Sequence, residues 1–138
     1  MAGHHTKDKG DLGVAKAFAD LVSQGCTVLF PATEHAPFDL VAYRRGRFSR
    51  VQVKFRTASR GGVTVRFRSV WNDRQGTHAV PVDKSEVDLL CIYCPDTDEC
   101  YYVRPWEHRA SVTLRIRPPS NGQQSGVLVA SRFRGVPG

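Results

Sequence analysis

Apolar residues recur at helical spacing near the start of the chain. The pattern predicts an amphipathic helix over residues 9–24, with a stripe formed by Leu12, Ala15, Ala19 and Val22 and widened by Val14, Phe18 and Leu21. Gly25 then stands where a helix commonly ends in a left-handed residue. A short strand is predicted over residues 26–30, where Pro31 stops it.

A β-hairpin is predicted next. Two β-rich segments, residues 39–44 and 48–55, are separated by a turn at Arg45 and Gly46. Glycine supplies the positive φ that two-residue hairpin turns need. Because such a turn fixes the register of both strands, each side chain of the first strand acquires a defined partner on the second.

That register brings polar residues together. It places Asp39 opposite Gln52. Gln52 and Lys54 share one face because side chains alternate along a strand, and Lys54 is diagonal to Asp39. A carboxylate and an amide oxygen can hold a hard divalent cation, and a neighbouring lysine can steady an anion. The alternative is an exposed polar face on an ordinary hairpin.

The rest of the chain reads mostly as strands and loops. The pattern predicts a half-exposed strand over 63–68, a loop over 70–83, a core strand over 87–94 with its hairpin partner over 99–104, a strand over 111–117 and a mobile loop over 118–126.

Composition is that of a soluble globular domain. The 138 residues predict a single domain over 1–138, with a core of about 7–117 and a flexible tail over 118–138. No apolar run approaches the roughly 20 residues that span a bilayer, so no membrane partner is expected. The N-terminus lacks an apolar signal segment, and a cytoplasmic location is therefore the expectation.

The net charge of the chain indicates a binding partner. The formal net charge is +7, and arginine forms bidentate contacts with phosphate, which favours a nucleic acid. The basic residues cluster around the polar patch. The candidate DNA-binding residues are Arg44, Arg45, Arg47, Arg50, Arg56, Arg60, Arg66 and Arg68. Charge alone does not separate DNA from RNA.

The positions of the cysteines argue against a zinc site. Cys91, Cys94 and Cys100 are spaced as zinc ligands can be, but Cys91 and Cys94 fall on one predicted strand. Their odd spacing places them on opposite faces, so buried reduced thiols are expected instead.

The residues Pro37, Asp39, Gln52 and Lys54 resemble the motif of the PD-(D/E)xK nuclease superfamily. Gln52 replaces the second acid, which is similar to the intron-encoded homing endonucleases with a Q-x-K version of the motif. The resemblance extends over about residues 7–107. Its position on two adjacent predicted strands after a helix is what gives the short motif weight.

The resemblance implies an α/β fold with a restriction-endonuclease-like core, a mixed central β-sheet flanked by helices. Sequence order alone does not select that topology. It further implies a Mg²⁺-dependent DNA endonuclease, with Mn²⁺ as a substitute metal. Because one small active site cuts one strand, a homo-oligomer, dimer or tetramer, is expected.

Within the resemblance, Asp39 and Gln52 are metal ligands and Lys54 orients water or stabilises the reacting phosphate. The first helix of the family normally adds a carboxylate, and here Val14 occupies the expected position. Asp11, one turn earlier, is the available substitute as metal ligand, although it can equally stabilise the helix dipole. Glu34 is a second substitute. The incomplete acid set keeps open a structure-specific DNA-binding or junction-resolving module with a degenerate site.

Overall fold

One long helix and several β-strands build the protein. The computed structural model describes residues 6–81, 84–119, 121–123 and 125–138. In chain order the elements are α1 (Thr6–Ser23), β1 (Thr27–Leu29), β2 (Leu40–Arg44), β3 (Arg47–Phe55), β4 (Gly62–Arg66), β5 (Arg68–Asp73), β6 (Gly76–Pro81), β7 (Leu89–Cys94), β8 (Glu99–Val103), β9 (Ser111–Arg115) and β10 (Leu128–Val129). Short 3₁₀ segments lie at Lys84–Glu86, Pro105–Glu107 and Ala130–Phe133.

The central sheet has the strand order β1-β2-β3-β7-β8. Strands β3 and β7 run parallel, and the other neighbouring pairs are antiparallel. The long connection between β3 and β7 permits the parallel pairing, which a short turn does not. The predicted α/β architecture with a mixed central sheet is confirmed.

Helix α1 covers one face of the central sheet through a narrow stripe of small residues. Gly13, Ala17 and Leu21 are buried against it. A Cβ at Gly13 would lie 3.4 Å from Val53 Cγ1 and 3.6 Å from Phe55 Cβ, so glycine lets the helix approach β3 closely. The helix ends as predicted, with Gly25 at φ +90° and the Cys26 N–H bonded to the Leu21 carbonyl at 3.0 Å.

The buried face of α1 is not the one that the predicted apolar stripe indicated. Phe18 and Val22, assigned to the buried side by periodicity, are 42% and 49% exposed. Ala15 and Ala19 are exposed as well. The apolar arc of this helix is wider than the contact with the sheet, so periodicity alone did not identify which part of it is buried.

A second, three-stranded sheet packs on the other face of the central sheet. Its order is β10-β9-β4. Its buried residues Val63, Val65, Val112 and Leu114 meet Ile92 of the central sheet in one cluster. Among the described residues, this face is thus covered by strands rather than by a second α-helix.

Alternation along β7 separates the cysteines as predicted. Cys91 belongs to the cluster under α1, whereas Cys94 belongs to the cluster under the second sheet. All four cysteines are buried free thiols. The hydrogen bond with Cys100, followed by burial, raises the pKa of the Cys91 thiol. The described residues contain no cluster of cysteine, histidine and acidic side chains that suits a metal ion.

The loop predicted over 70–83 was wrong, because β5 and β6 form an antiparallel hairpin there. Its turn is built by Asp73, whose carboxylate accepts the Gln75 N–H at 2.7 Å, and by Gly76 at φ +119°. Residues 82 and 83 of the predicted loop lie outside the described residues. Within the described part of the chain, no helix has the length and apolar content needed to cross a membrane.

Candidate active site

The β2–β3 hairpin forms with the predicted turn. Arg45 and Gly46 have φ values of +53° and +80°, the positive pair that a type I′ turn requires. The ladder runs from Arg44 opposite Arg47 to Leu40 opposite Val51. The register predicted from the turn is therefore confirmed along the whole of β2.

Asp39 lies immediately beyond this ladder, in a bend. Its N–H donates to the Val51 carbonyl at 2.9 Å, so the ladder pair predicted with Gln52 is not formed. Instead, Asp39 Oδ2 accepts the backbone N–H of Val53 at 2.7 Å. Because β2 begins only at Leu40, no backbone carbonyl of β2 pairs with the Val53 N–H, and the carboxylate of Asp39 accepts this hydrogen bond instead.

Gln52 and Lys54 share the sheet face that is turned away from α1. They alternate with Val51, Val53 and Phe55, which pack in the cluster under the helix. In the parallel ladder Gln52 is level with Leu90 and Lys54 with Ile92. Both polar side chains are half-buried.

The environment of Lys54 favours contact with an anion. Burial lowers the pKa of this lysine, the positive charge of Arg56 lowers it further, and the negative charge of Asp39 opposes both effects. Lys54 is therefore close enough to Asp39 to sense its charge, but it is not neutralised by it. A carboxylate, an amide on β3 and an incompletely compensated lysine thus gather where the hairpin strands separate.

The sequence pattern of the PD-(D/E)XK endonucleases matches residues 4–136 of this chain, nearly its whole length. The chain belongs to the PD-(D/E)XK endonuclease family. The match includes α1, the β2–β3 hairpin and the second sheet, so the candidate site lies within the matched region. A comparison with curated proteins found no match.

The fold of this PD-(D/E)XK chain is similar to that of a solved bacterial homing endonuclease, I-Ssp6803I. The two share 19% sequence identity, and the match covers 95% of this chain and 89% of the other with a TM-score of 0.74. At this identity the likeness concerns the fold. It supports the restriction-endonuclease-like core that the motif implied.

The further carboxylates proposed for this PD-(D/E)XK site remain predictions. Asp11 is exposed on the first half of α1. Glu34 lies in the loop before β2, 3.9 Å from His35, and both side chains are 93% exposed. Asp11, Glu34 and Asp39 do not form one of the acidic groupings that can hold a metal, none of which occurs among the described residues. Of these three carboxylates, Asp39 is the one that is hydrogen-bonded to β3.

Two of the candidate DNA-binding arginines make contacts within the protein. Arg44 Nη2 donates to the Val136 carbonyl at 2.9 Å and so fastens the C-terminal segment beside α1. Arg50 forms a two-bond ion pair with Asp88, with both nitrogen–oxygen distances at 2.9 Å. This pairing lowers the pKa of Asp88, chiefly through the side-chain hydrogen bond. Sequence gave no signal for the choice of Asp88.

Other arginines of the PD-(D/E)XK chain surround an open concavity. Arg56, Thr64, Arg66 and Arg68 line a depression of about 350 Å³. Burial lowers the pKa of Arg56, whose Nη1 donates to the Phe55 carbonyl at 2.8 Å. Arg66 and Arg68 are exposed, with buried Val65 and Phe67 alternating between them. The predicted basic outer face of residues 63–68 is confirmed.

The remaining candidate DNA-binding arginines lie at turns or strand ends. Arg45, Arg47 and Arg60 are exposed, and Arg45 and Arg60 each have a φ of +53°.

Sequence analysis did not identify an aromatic pair on the hairpin. Tyr43 and Phe48 face each other across its two strands, with ring centroids 4.7 Å apart. The register that was predicted from the turn already paired these residues, so the signal was present in the sequence.

Proposed function

We propose that the protein is a divalent-metal-dependent DNA endonuclease that hydrolyses phosphodiester bonds, similar to homing endonucleases. The observation that carries this proposal is the fixed position of Asp39, whose carboxylate is hydrogen-bonded to β3 and whose charge reaches Lys54. Membership of the PD-(D/E)XK family supports this proposal, because Asp39, Gln52 and Lys54 are the positions that resemble the family motif. PD-(D/E)XK nucleases use divalent metals, in agreement with this donor set.

The donor set fits Mg²⁺, with Mn²⁺ as a substitute. Asp39 is exposed, and its Oδ1 makes no hydrogen bond with a described residue. Gln52 can add one neutral amide oxygen. Mg²⁺ commonly keeps several waters and is held by one or two carboxylates together with substrate phosphate oxygens. A site with one carboxylate therefore suits a metal that binds jointly with DNA.

Each residue has a distinct role in this proposal. Asp39 and Gln52 hold the metal, with Asp11 or Glu34 as candidates for a further ligand. When bound, the metal supplies an activated water and neutralises charge on the phosphate. Lys54 remains protonated and donates to the phosphate oxygen on which charge develops, where a positioned cation is most effective.

The exposed arginines form the expected docking surface for DNA. Arg56, Arg66 and Arg68 line one concavity, and Arg56 is two residues from Lys54 on the same chain segment. Phosphate contacts position a duplex without reading its sequence. Arg44 and Arg50 are committed to contacts within the protein and contribute to this surface mainly by holding the hairpin in place.

A homo-oligomer is part of the proposal, because two sites are needed to cut both strands of a duplex. An apolar patch at the β1 edge of the central sheet supports it. Phe18, Val22, Leu29 and Phe30 are 42%, 49%, 42% and 55% exposed, and the rings of Phe18 and Phe30 lie 5.8 Å apart. Phe30→Asp should then yield monomers in sedimentation, whereas Val80→Asp, at a similarly exposed valine, should not.

The alternative function is a structure-specific DNA-binding or junction-resolving module with a degenerate site. The observation that favours it is that, of the three carboxylates proposed for the site, Asp39 alone is hydrogen-bonded to β3 in the described structure, next to a neutral Gln52. Such a protein would bind branched DNA and leave supercoiled plasmid uncut.

Nicking of supercoiled plasmid discriminates the two functions. The endonuclease predicts Mg²⁺-dependent conversion to open-circular or linear DNA, suppressed by EDTA and lost in Lys54→Ala. The binding module predicts intact plasmid with every metal, together with retained DNA binding. Single-stranded RNA, tested in parallel, establishes whether cleavage is confined to DNA.

A further inference from the structure

A cleft lies beside the tip of the β2–β3 hairpin, away from Asp39. Its volume is about 470 Å³. Residues of the hairpin form one side, the segment around Arg104 and Trp106 forms another, and residues 136–138 lie across its end. We call it the Phe48–Trp106 cleft; the side chains relevant to ligand binding are those of Arg44, Arg47, Phe48, Asp88, Arg104 and Trp106.

Two large rings line this cleft while remaining open to solvent. Phe48 is 65% exposed and Trp106 is 57% exposed. Tyr43 contacts Phe48 from the neighbouring strand and steadies its ring. Exposed apolar patches often mark binding sites, and aromatic faces stack on nucleobases of any identity.

The charge of the cleft is favourable for phosphate. The Arg47 side chain is exposed and makes no hydrogen bond or ion pair with another described residue. Among the described residues, the one ion-pair partner of the Arg104 side chain is the exposed Glu107, at 3.5 Å. The carboxylate in the lining, Asp88, is already neutralised by Arg50. The two exposed rings can stack on the base of a nucleotide, and Arg47 can bind its phosphate.

The cleft lies on the strand that carries the candidate active site. Phe48 precedes Gln52 by four positions on β3, or about 13 Å at the rise of a strand. Even spacing places Phe48, Gln52 and Lys54 on the same face of β3. Arg47, at the neighbouring position, projects to the α1 face together with Ala42, so the cleft lies at the end of the sheet, where the two faces meet. The separation from Phe48 to Gln52 matches about four base steps of a duplex, so a DNA strand that passes the candidate site can reach the Phe48 side of the cleft.

We propose that the Phe48–Trp106 cleft binds an unpaired nucleotide of the DNA substrate, with the base stacked on Phe48 and Trp106 and the phosphate on Arg47. The inference rests on the proposed nuclease function and adds a substrate feature to it: a displaced or flipped nucleotide near the cut. A paired base cannot enter, because its faces are covered by its neighbours in the stack.

The test compares single-stranded and duplex DNA on the same variants. Binding of labelled oligothymidine and of a labelled duplex is measured by anisotropy in EDTA, so that neither is cut. Phe48→Leu should weaken single-strand binding about 5- to 150-fold and leave duplex binding within about twofold. Arg47→Ala should lower the single-strand salt slope by about 0.7, whereas the exposed Arg132→Ala should not. In a Trp71→Phe background, oligothymidine should quench Trp106 emission.

The outcomes separate this proposal from the nuclease function. Equal loss, or no loss, of both binding modes in Phe48→Leu overturns the cleft proposal, even if the wild-type protein nicks plasmid with Mg²⁺. A change of sedimentation in Phe48→Leu identifies the cleft as a protein interface and overturns it too. A wild-type protein that binds neither DNA overturns both proposals. Selective loss of single-strand binding with quenching of Trp106 supports the cleft.

Discussion

The carboxylate of Asp39 accepts the backbone N–H of Val53 at 2.7 Å, immediately before the point where β2 begins. The Asp39 side chain thus accepts a hydrogen bond from β3 that a backbone carbonyl would accept if β2 began earlier. One oxygen is used by the protein, and the other stays available for a ligand. The same residue therefore has a structural contact and a proposed chemical role, which substitution can separate.

Asp39→Asn should abolish cleavage and preserve the fold. The asparagine oxygen can still accept from Val53, but the negative charge that holds the metal is lost. Plasmid nicking should fall more than about 100-fold, since metal stabilisation of the transition state is worth several kcal/mol. Unfolding free energy, measured in urea, should change by less than about 0.5 kcal/mol. Asp39→Ala, which leaves the Val53 N–H without its partner, should cost about 1 kcal/mol. Full nicking by Asp39→Asn would remove Asp39 from the metal site.

Gln52→Glu should strengthen metal binding. The second carboxylate increases the negative charge of a site that otherwise relies on one acid, and β3 is already exposed to water at this half-buried position. The Mg²⁺ concentration for half-maximal nicking should therefore fall severalfold. Gln52→Ala should raise it. An unchanged metal requirement in both variants would place Gln52 outside the metal site.

Lys54→Met should stabilise the protein at neutral pH while removing cleavage. The pKa of Lys54 is lowered by burial and by Arg56, so its charge is less favourable in the folded than in the unfolded chain. Between its folded pKa and the ordinary value of about 10.4, the unfolded chain binds the proton more strongly, and wild-type stability rises with pH. The advantage of Lys54→Met in urea unfolding should therefore narrow as pH rises through this window. Wild-type nicking should decline over the same range as Lys54 loses its proton. A constant stability difference would contradict the lowered pKa.

Local chemistry made the site hairpin predictable. Arg45 and Gly46 fix the turn, and the turn fixes the register from Arg44 to Leu40 without help from the rest of the fold. The departure at Asp39 was not predictable in this way. It depends on a bend whose backbone leaves the sheet and on a side chain that takes over one strand hydrogen bond, and periodicity contains no information about either.

The errors along the chain have equally specific causes. The β5–β6 hairpin was overlooked because polar residues at 72–75 were interpreted as a loop, although Asp73 and Gly76 are the turn chemistry of a hairpin. The buried stripe of α1 was misplaced because glycine carries no hydrophobic signal, yet Gly13 marks the closest approach to β3. Topology came from the family motif, since strand order is set by packing over long distances.

Replacing Arg66 and Arg68 together by alanine should weaken DNA binding through its salt dependence. Both side chains are exposed and line the same concavity as Arg56, while Val65 and Phe67, which alternate with them along the chain, are buried, so the fold should persist. Each phosphate contact contributes about 0.9 to the slope of log K against log salt on duplex DNA, and the double variant should flatten that slope by up to about two units.

The control for this pair is Arg132→Ala with Arg134→Ala, which removes the same charge elsewhere. Arg134 is paired with Glu99 of β8 at 3.1 Å, and its carbonyl accepts from Gln24 after α1, so it lies at the β8 edge of the sheet, two strands from Lys54. This control should leave the slope unchanged, because a charge that touches no phosphate releases no counterion. Lys54→Ala should show the converse, with near-normal binding and lost cleavage. If the Arg66 and Arg68 variant bound normally while Lys54→Ala released DNA, the division between a docking surface and a catalytic centre would be wrong.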